Sequence, residues 1–95
     1  MNVFISHKRE DLALAKACGL HLLRLKISRY LDDDDQSLAS VEDITAHFLA
    51  KIAHASHLLA VISPKTKGSW WVPFEIGAAS AINKRICSVV VGEVE

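Results

Sequence analysis

Apolar positions along this chain fall into short continuous runs separated by stretches spaced at three and four, the pattern of buried strands interleaved with helices. Val3-Phe4-Ile5 is a β-rich run closed by the polar cluster Ser6-His7-Lys8-Arg9-Glu10-Asp11, which predicts a strand, a loop and a helix cap. From Asp11 to about Lys26, Leu14, Ala17, Cys18, His21, Leu22 and Leu25 share one helical face, and Lys16 and Arg24 fall away from it. Leu12, Leu20 and Leu23 lie off that face, so the spacing predicts a helix buried on more than one side and hints at a partner surface.

Ser28-Arg29-Tyr30-Leu31 reads as a second strand, and Asp32 to Asp43 as an acidic loop without apolar period. Asp43 can cap a second helix, with Ile44, Phe48, Ile52 and Ala55 on one side and His47, Lys51 and His54 on the other. His57-Leu58-Leu59-Ala60-Val61-Ile62-Ser63 is a continuous apolar strand stopped by Pro64, which has no amide proton for the ladder, and is placed at the sheet centre. Lys65 to Ser69 follows as a loop. Pro73 can begin a third helix, because the first turn has no use for its missing N–H, and that helix is expected to run to about Asn83. Ile86 to Val91 is a last, β-branched strand.

The order β-α-β-α-β-α-β implies right-handed crossovers and a parallel sheet with helices on both faces. Ligands of such sheets sit beyond the carboxyl ends of the strands, where the Ser6, Asp32 and Ser63 loops are expected. Ninety-five residues leave room for one domain, 1–95, and one core. An apolar fraction of 51% suits a sheet covered on both sides.

Eleven basic and eleven acidic residues cancel, so no basic field argues for nucleic acid or an anionic membrane, and any anionic ligand must be held by local groups. Cys18 and Cys87 lie in apolar segments without a CxxC pair or a signal-peptide pattern, and are expected as reduced cytosolic thiols packed as small hydrophobes. Every apolar stretch is broken well before the roughly 20 residues that a membrane helix needs. The chain is read as soluble and cytoplasmic.

The segment richest in candidate chemistry is Lys67-Gly68-Ser69-Trp70-Trp71-Val72-Pro73-Phe74-Glu75-Ile76-Gly77, where both tryptophans stand before a helix with a carboxylate close to its start. Indoles offer flat faces to a heterocycle. With the helix starting at Pro73, Glu75 falls in the first turn, where the macrodipole favours its ionised form and lets it stabilise a developing cation. The plain structural alternative is that Glu75 serves its helix, and that the tryptophans are core or interface residues.

Val3-Phe4-Ile5-Ser6-His7 with Asp11, then Tyr30-Leu31-Asp32, then Leu58-Leu59-Ala60-Val61-Ile62-Ser63-Pro64, then Ser69-Trp70-Trp71-Val72-Pro73-Phe74-Glu75, resembles the ordered motifs of Toll/interleukin-1 receptor (TIR) domains over nearly the whole chain. The likeness is closest to bacterial TIR-like domains of antiviral systems such as Thoeris. It implies a flavodoxin-like three-layer α/β fold with a parallel sheet of order 2-1-3-4. It also implies an NAD-cleaving site in which Glu75 is catalytic, Trp71 faces the nicotinamide, and Ser6 and His7 lie near the dinucleotide. NAD⁺ would be a substrate, with no cofactor and no metal, and other TIR protomers would be the partners.

The chemistry suits those residues, because departure of nicotinamide leaves an oxocarbenium-like ribose that a carboxylate stabilises. Water or an adenine nitrogen then attacks, giving ADP-ribose or a cyclic isomer, and the sequence leaves both open. The chain departs from the family pattern in two places. Asp32 to Asp43 contains neither Gly nor Pro, and the usual C-terminal third beyond the fourth strand is absent. In the family's strand order Ile86 to Val91 then becomes an uncovered edge, which either pairs with another chain or marks a truncated relative.

Other readings have less behind them. Asp32-Asp33-Asp34-Asp35 suggests a metal site or the acidic pocket of a receiver domain, yet Ser63 stands where a receiver needs its phosphoacceptor Asp. His47 and His54 flank Lys51 on one helix face, where a cation opposes metal binding, and are read as surface histidines. No G-x-G-x-x-G follows the first strand, and G-x-S-x-G and P-loop patterns are missing. The remaining rival to the enzyme is a TIR module that assembles with its like and cleaves nothing.

Overall fold

The computed structural model describes residues 1–31, 41–66 and 71–92, and of residues 41–45, 65 and 71 only the backbone. Four strands, β1 (Asn2–Ser6), β2 (Ser28–Leu31), β3 (His57–Ile62) and β4 (Arg85–Val90), alternate with α1 (Leu12–Arg24), α2 (Val41–His54) and α3 (Trp71–Ala81). All pairings are parallel and the order is β2-β1-β3-β4, so β1 and β3 hold the centre. The α/β fold and the strand order expected from the sequence are both present.

Because side chains alternate across a strand, each central strand feeds two cores. Phe4 of β1 and Leu58 and Ala60 of β3 pack with Phe48, Ile52 and Ala55 of the α2 segment and Val72 and Ala79 of α3. Val3, Ile5 and Val61 point the other way and pack with Ala15 of α1. One helix therefore covers one face of the sheet and two cover the other.

Several expected boundaries move. A short 3₁₀ turn, Arg9–Asp11, precedes α1, and the buried side of α1 runs through Ala15 and Gly19, with Leu14, Cys18 and Leu22 beside them. Ala17, His21 and Leu25, expected on the inner face, are exposed. Leu20 and Leu23 are 56% and 47% exposed, so α1 is buried on a single side within this chain. The face is rotated because Gly19 lets strand β2 come close: a Cβ there would stand 2.9 Å from Arg29 Nε and 3.6 Å from Ile5 Cδ1.

Helix α2 starts at Val41, so Asp43 lies inside it instead of capping it. The acidic run 32–40 lies outside the described residues. His47 is not a plain surface histidine: it is half-buried, with Nε2 3.1 Å from Tyr30 Oη, and its ring meets Phe48 edge-on. Cys87 is exposed on β4 instead of packed, although desolvation still pushes its thiol above the ordinary value.

Helices α1 and α3 end alike. Ile27 N–H donates to Leu22 O and Lys26 N–H to Leu23 O, and at the other end Lys84 N–H donates to Ala79 O and Asn83 N–H to Ser80 O. Lys26 and Asn83 accordingly take φ of 60° and 61°. Both are Schellman turns without the usual glycine.

Strand β4 is the outer neighbour of β3. Ile86, Val90 and the following Val91 are exposed.

Candidate functional site

The parity of the central strands decides what stands at their carboxyl ends. Ser6 lies two residues beyond Phe4 and so faces α2 and α3, whereas Ser63 lies two beyond Val61 and faces α1. Each serine meets a carboxylate there.

Ser6 Oγ donates to Glu75 Oε1 at 2.6 Å, and both residues are fully buried. That length falls in the range of hydroxyl-to-carboxylate bonds, about 2.5–2.7 Å. Helix α3 delivers Glu75 because Val72, Glu75, Ile76 and Ala79 recur at three and four, and Val72, Glu75 and Ala79 are buried. The carboxylate thus occupies one rung of an otherwise apolar stripe.

Its expected place in the first helical turn is corrected. Helix α3 opens at Trp71, two residues before Pro73, and its first turn contains no acidic residue. Proline at the third position still sacrifices no internal bond, because the first four amides of a helix lack intrahelical acceptors. Glu75, in fifth position, accepts a hydrogen bond from a hydroxyl of β1.

On the opposite face, Ser63 Oγ donates to Asp11 Oδ2 at 2.7 Å, and both residues are buried. Asp11 precedes α1 yet makes no side-chain cap bond, so the helix-cap role read from the sequence is replaced by this link to β3. Ser63 is held in turn by the turn after β3: its N–H donates to Thr66 Oγ1 at 3.0 Å, and Thr66 N–H returns to Ser63 O at 3.0 Å.

His7 is 6% exposed, and its Nδ1 lies 2.8 Å from the carbonyl oxygen of Lys8. A carbonyl only accepts, so the geometry calls for the proton on Nδ1. Asp11 N–H donates to the same oxygen at 2.9 Å. Lys8 Nζ and Glu10 form an ion pair at 3.2 Å on the outside of this loop, a position where such pairs contribute little.

Of the four residues singled out from the sequence, Ser6 and Glu75 are bonded directly and His7 follows Ser6 at the buried start of the loop. Trp71 opens α3 four residues before Glu75, with its side chain outside the described residues. Sequence reasoning did not find the Ser63–Asp11 pair. The signals were present: Ser63 continues the Val61 side of its strand, and Asp11 ends a polar run at a helix start. Among the described residues no cluster of His, Cys, Asp or Glu has the makings of a metal site, and no helix is long and apolar enough to cross a membrane.

A parallel α/β sheet with carboxylates gathered at the ends of its central strands defines a class of domains that place their sites at that edge. A family model described as TIR domain matches residues 3–95, and the chain belongs to the TIR domain family. Comparison with curated proteins finds no match.

Proposed function

We propose that this TIR domain cleaves the nicotinamide–ribose bond of NAD⁺, releasing nicotinamide and either ADP-ribose or a cyclic isomer. The observation that carries the reading is the Ser6–Glu75 pair at the carboxyl end of the central strand, with the bond of 2.6 Å between fully buried groups. A carboxylate set into an apolar stripe adds nothing to helix packing that an apolar residue would not supply better, since burying an ionisable group is unfavourable unless it is partnered. Its retention beside the loop of Ser6 and His7 suits a chemical task.

In this reading, substrate replaces one hydrogen-bond partner with another: a ribose hydroxyl takes the place of the Ser6 hydroxyl on Glu75. As the C–N bond breaks, nicotinamide leaves with the bonding pair and becomes neutral, and positive charge develops on the ribose. Glu75 stabilises that charge. Attack by water gives ADP-ribose and a proton; attack by an adenine nitrogen gives a cyclic product. His7 and Trp71 line the dinucleotide, and the resemblance supplies a cytoplasmic, bacterial antiviral setting.

One observation favours a second reading. Glu75 is 0% exposed, so the carboxylate does not face solvent in this conformation, as fits a domain that acts only by TIR–TIR assembly. The exposed Ile86, Val90 and Val91 on and beside the β4 edge are the residues with which such a module would pair.

The test is incubation of concentrated protein and its Glu75→Gln variant with NAD⁺, with nicotinamide, ADP-ribose and cyclic products resolved by chromatography. Glutamine keeps the size and an oxygen acceptor for Ser6 but removes the charge. Nicotinamide release by the parent alone supports the enzyme. No release by either, together with a rise in mass on concentration that Val90→Lys abolishes, supports the assembly module.

A further inference from the structure

We infer that Ser63 and Asp11 are positioning residues that fix the orientation and tautomer of the His7 imidazole, an inference that rests on the NAD reading only for its catalytic consequence.

The hydrogen bonds form an unbroken chain. The Thr66 turn holds Ser63 through bonds of 3.0 Å in each direction. Ser63 Oγ donates to Asp11 Oδ2 at 2.7 Å. The Asp11 amide donates to Lys8 O at 2.9 Å, and that oxygen accepts from His7 Nδ1 at 2.8 Å. The Lys8 carbonyl is therefore the hinge of the network: its direction is set from one side by Asp11 and read from the other by the imidazole.

The sheet explains why this link is needed. β1 ends at Ser6, so neither His7 nor Lys8 has a strand to hold it. Ser6 is tied to α3 on one face through Glu75, while Asp11 ties the other end of the same loop to β3 on the opposite face. The four residues between those ties include His7. A loop fixed at both ends, with a carbonyl pointed at Nδ1, holds the ring as the Nδ1–H form with its basic lone pair on Nε2. That is the electronic form that accepts from a hydroxyl, such as one on a ribose.

A helix-entry aspartate has an ordinary structural use as a cap, but Asp11 makes no cap bond. Its carboxylate is spent on Ser63 across 52 residues of sequence. The buried pair therefore connects two loops and does not complete a helix end.

The test reads the ring directly. Long-range ¹H–¹⁵N correlation spectra of ¹⁵N-labelled protein, taken where imidazoles are neutral, report the tautomer of each histidine, and a His7→Gln variant assigns the signal. The parent is expected to show His7 as the Nδ1–H form. Ser63→Ala is expected to shift it towards a mixture with the Nε2–H form, and Ser63→Thr, which keeps the hydroxyl, to restore the parent signature. Asp11→Asn weakens the bond without removing an acceptor and gives a smaller shift in the same direction, which keeps the question answerable if Ser63→Ala does not fold. A folded Ser63→Ala, or in its place a folded Asp11→Asn, that leaves the His7 tautomer unchanged overturns the inference.

The catalytic consequence is read separately. Ser63→Ala is expected to raise KM for NAD⁺ about five-fold, the equivalent of one hydrogen bond, with kcat nearly unchanged. The effect should vanish in a His7→Ala background, since Ser63 acts through the ring. A merely structural serine would instead give a loss additive with His7→Ala. If the parent releases no nicotinamide while the tautomer shifts as described, the NAD reading fails and the positioning role stands.

Discussion

The hydroxyl of Ser6 and the carboxylate of Glu75 meet at 2.6 Å across 69 residues of sequence, both fully buried. This contact joins the central strand to α3, and it separates what the glutamate does for the fold from what its charge does for chemistry. Ser6→Ala leaves a buried carboxylate short of a donor and is expected to lower stability by about 1–3 kcal/mol. Glu75→Gln keeps an acceptor for the hydroxyl and is expected to cost under about 1 kcal/mol. Urea denaturation midpoints of the two variants check the difference; equal losses would mean that the hydroxyl contributes nothing to holding Glu75.

Lys26 closes the Schellman turn after α1 with φ of 60°. An L-residue pays about 1–2 kcal/mol for this left-handed conformation, whereas glycine adopts it without a Cβ clash. Lys26→Gly is expected to raise stability by roughly 0.5–1 kcal/mol after the entropy of glycine in the unfolded chain is set against that relief. Asn83→Gly should gain less, because asparagine tolerates the region. Thermal melts that rank Asn83→Gly above Lys26→Gly would contradict the argument.

Tyr30 stacks on Phe4 with centroids 5.4 Å apart, lies under Lys51 Nζ at 5.1 Å, and reaches His47 with its hydroxyl. Tyr30→Phe keeps the stack and the cation contact and loses only the hydroxyl. The expected cost is about 0.5–1.5 kcal/mol, measured by denaturation, and His47→Ala should add little of that hydrogen-bond loss in a Tyr30→Phe background.

The central place of β3 was legible in the sequence because a continuous apolar run such as Leu58 to Ile62 has no other stable home than a covered parallel sheet, and the four-strand order followed from the family resemblance. The face of α1 was not, because counting apolar residues cannot see that Gly19 admits Arg29 and turns Ala17 and Leu25 outward. The start of α3 was misplaced because proline is tolerated throughout the first helical turn and not at its first residue alone. Glu75 and Ser6 were each marked, by the Ser-Trp segment and by the end of β1, but their contact depends on strand parity and helix phase together. Asp11 and Ser63 were missed as a pair for the same reason: each looked complete as a cap and as a strand end.

Desolvation raises the Cys87 thiol above its ordinary value, and its Sγ sits 3.6 Å from Leu58 O. The thiolate fraction at a given mildly alkaline pH is therefore smaller than in a free thiol. Alkylation by iodoacetamide is expected to be slower than that of a small free thiol and to reach half its maximal rate at a higher pH. A midpoint below that of the free thiol would contradict it.

The most direct measurement is nicotinamide release from NAD⁺, followed by proton NMR on parent and Glu75→Gln side by side, each shown to be folded by its melting curve. The account predicts release by the parent and a loss of at least about a hundred-fold in the variant, the scale of removing one charge-stabilising group from a transition state. Equal rates in the two proteins, or no release from a folded and concentrated parent, would contradict the assignment of Glu75 as the residue that stabilises the ribose cation formed as nicotinamide departs.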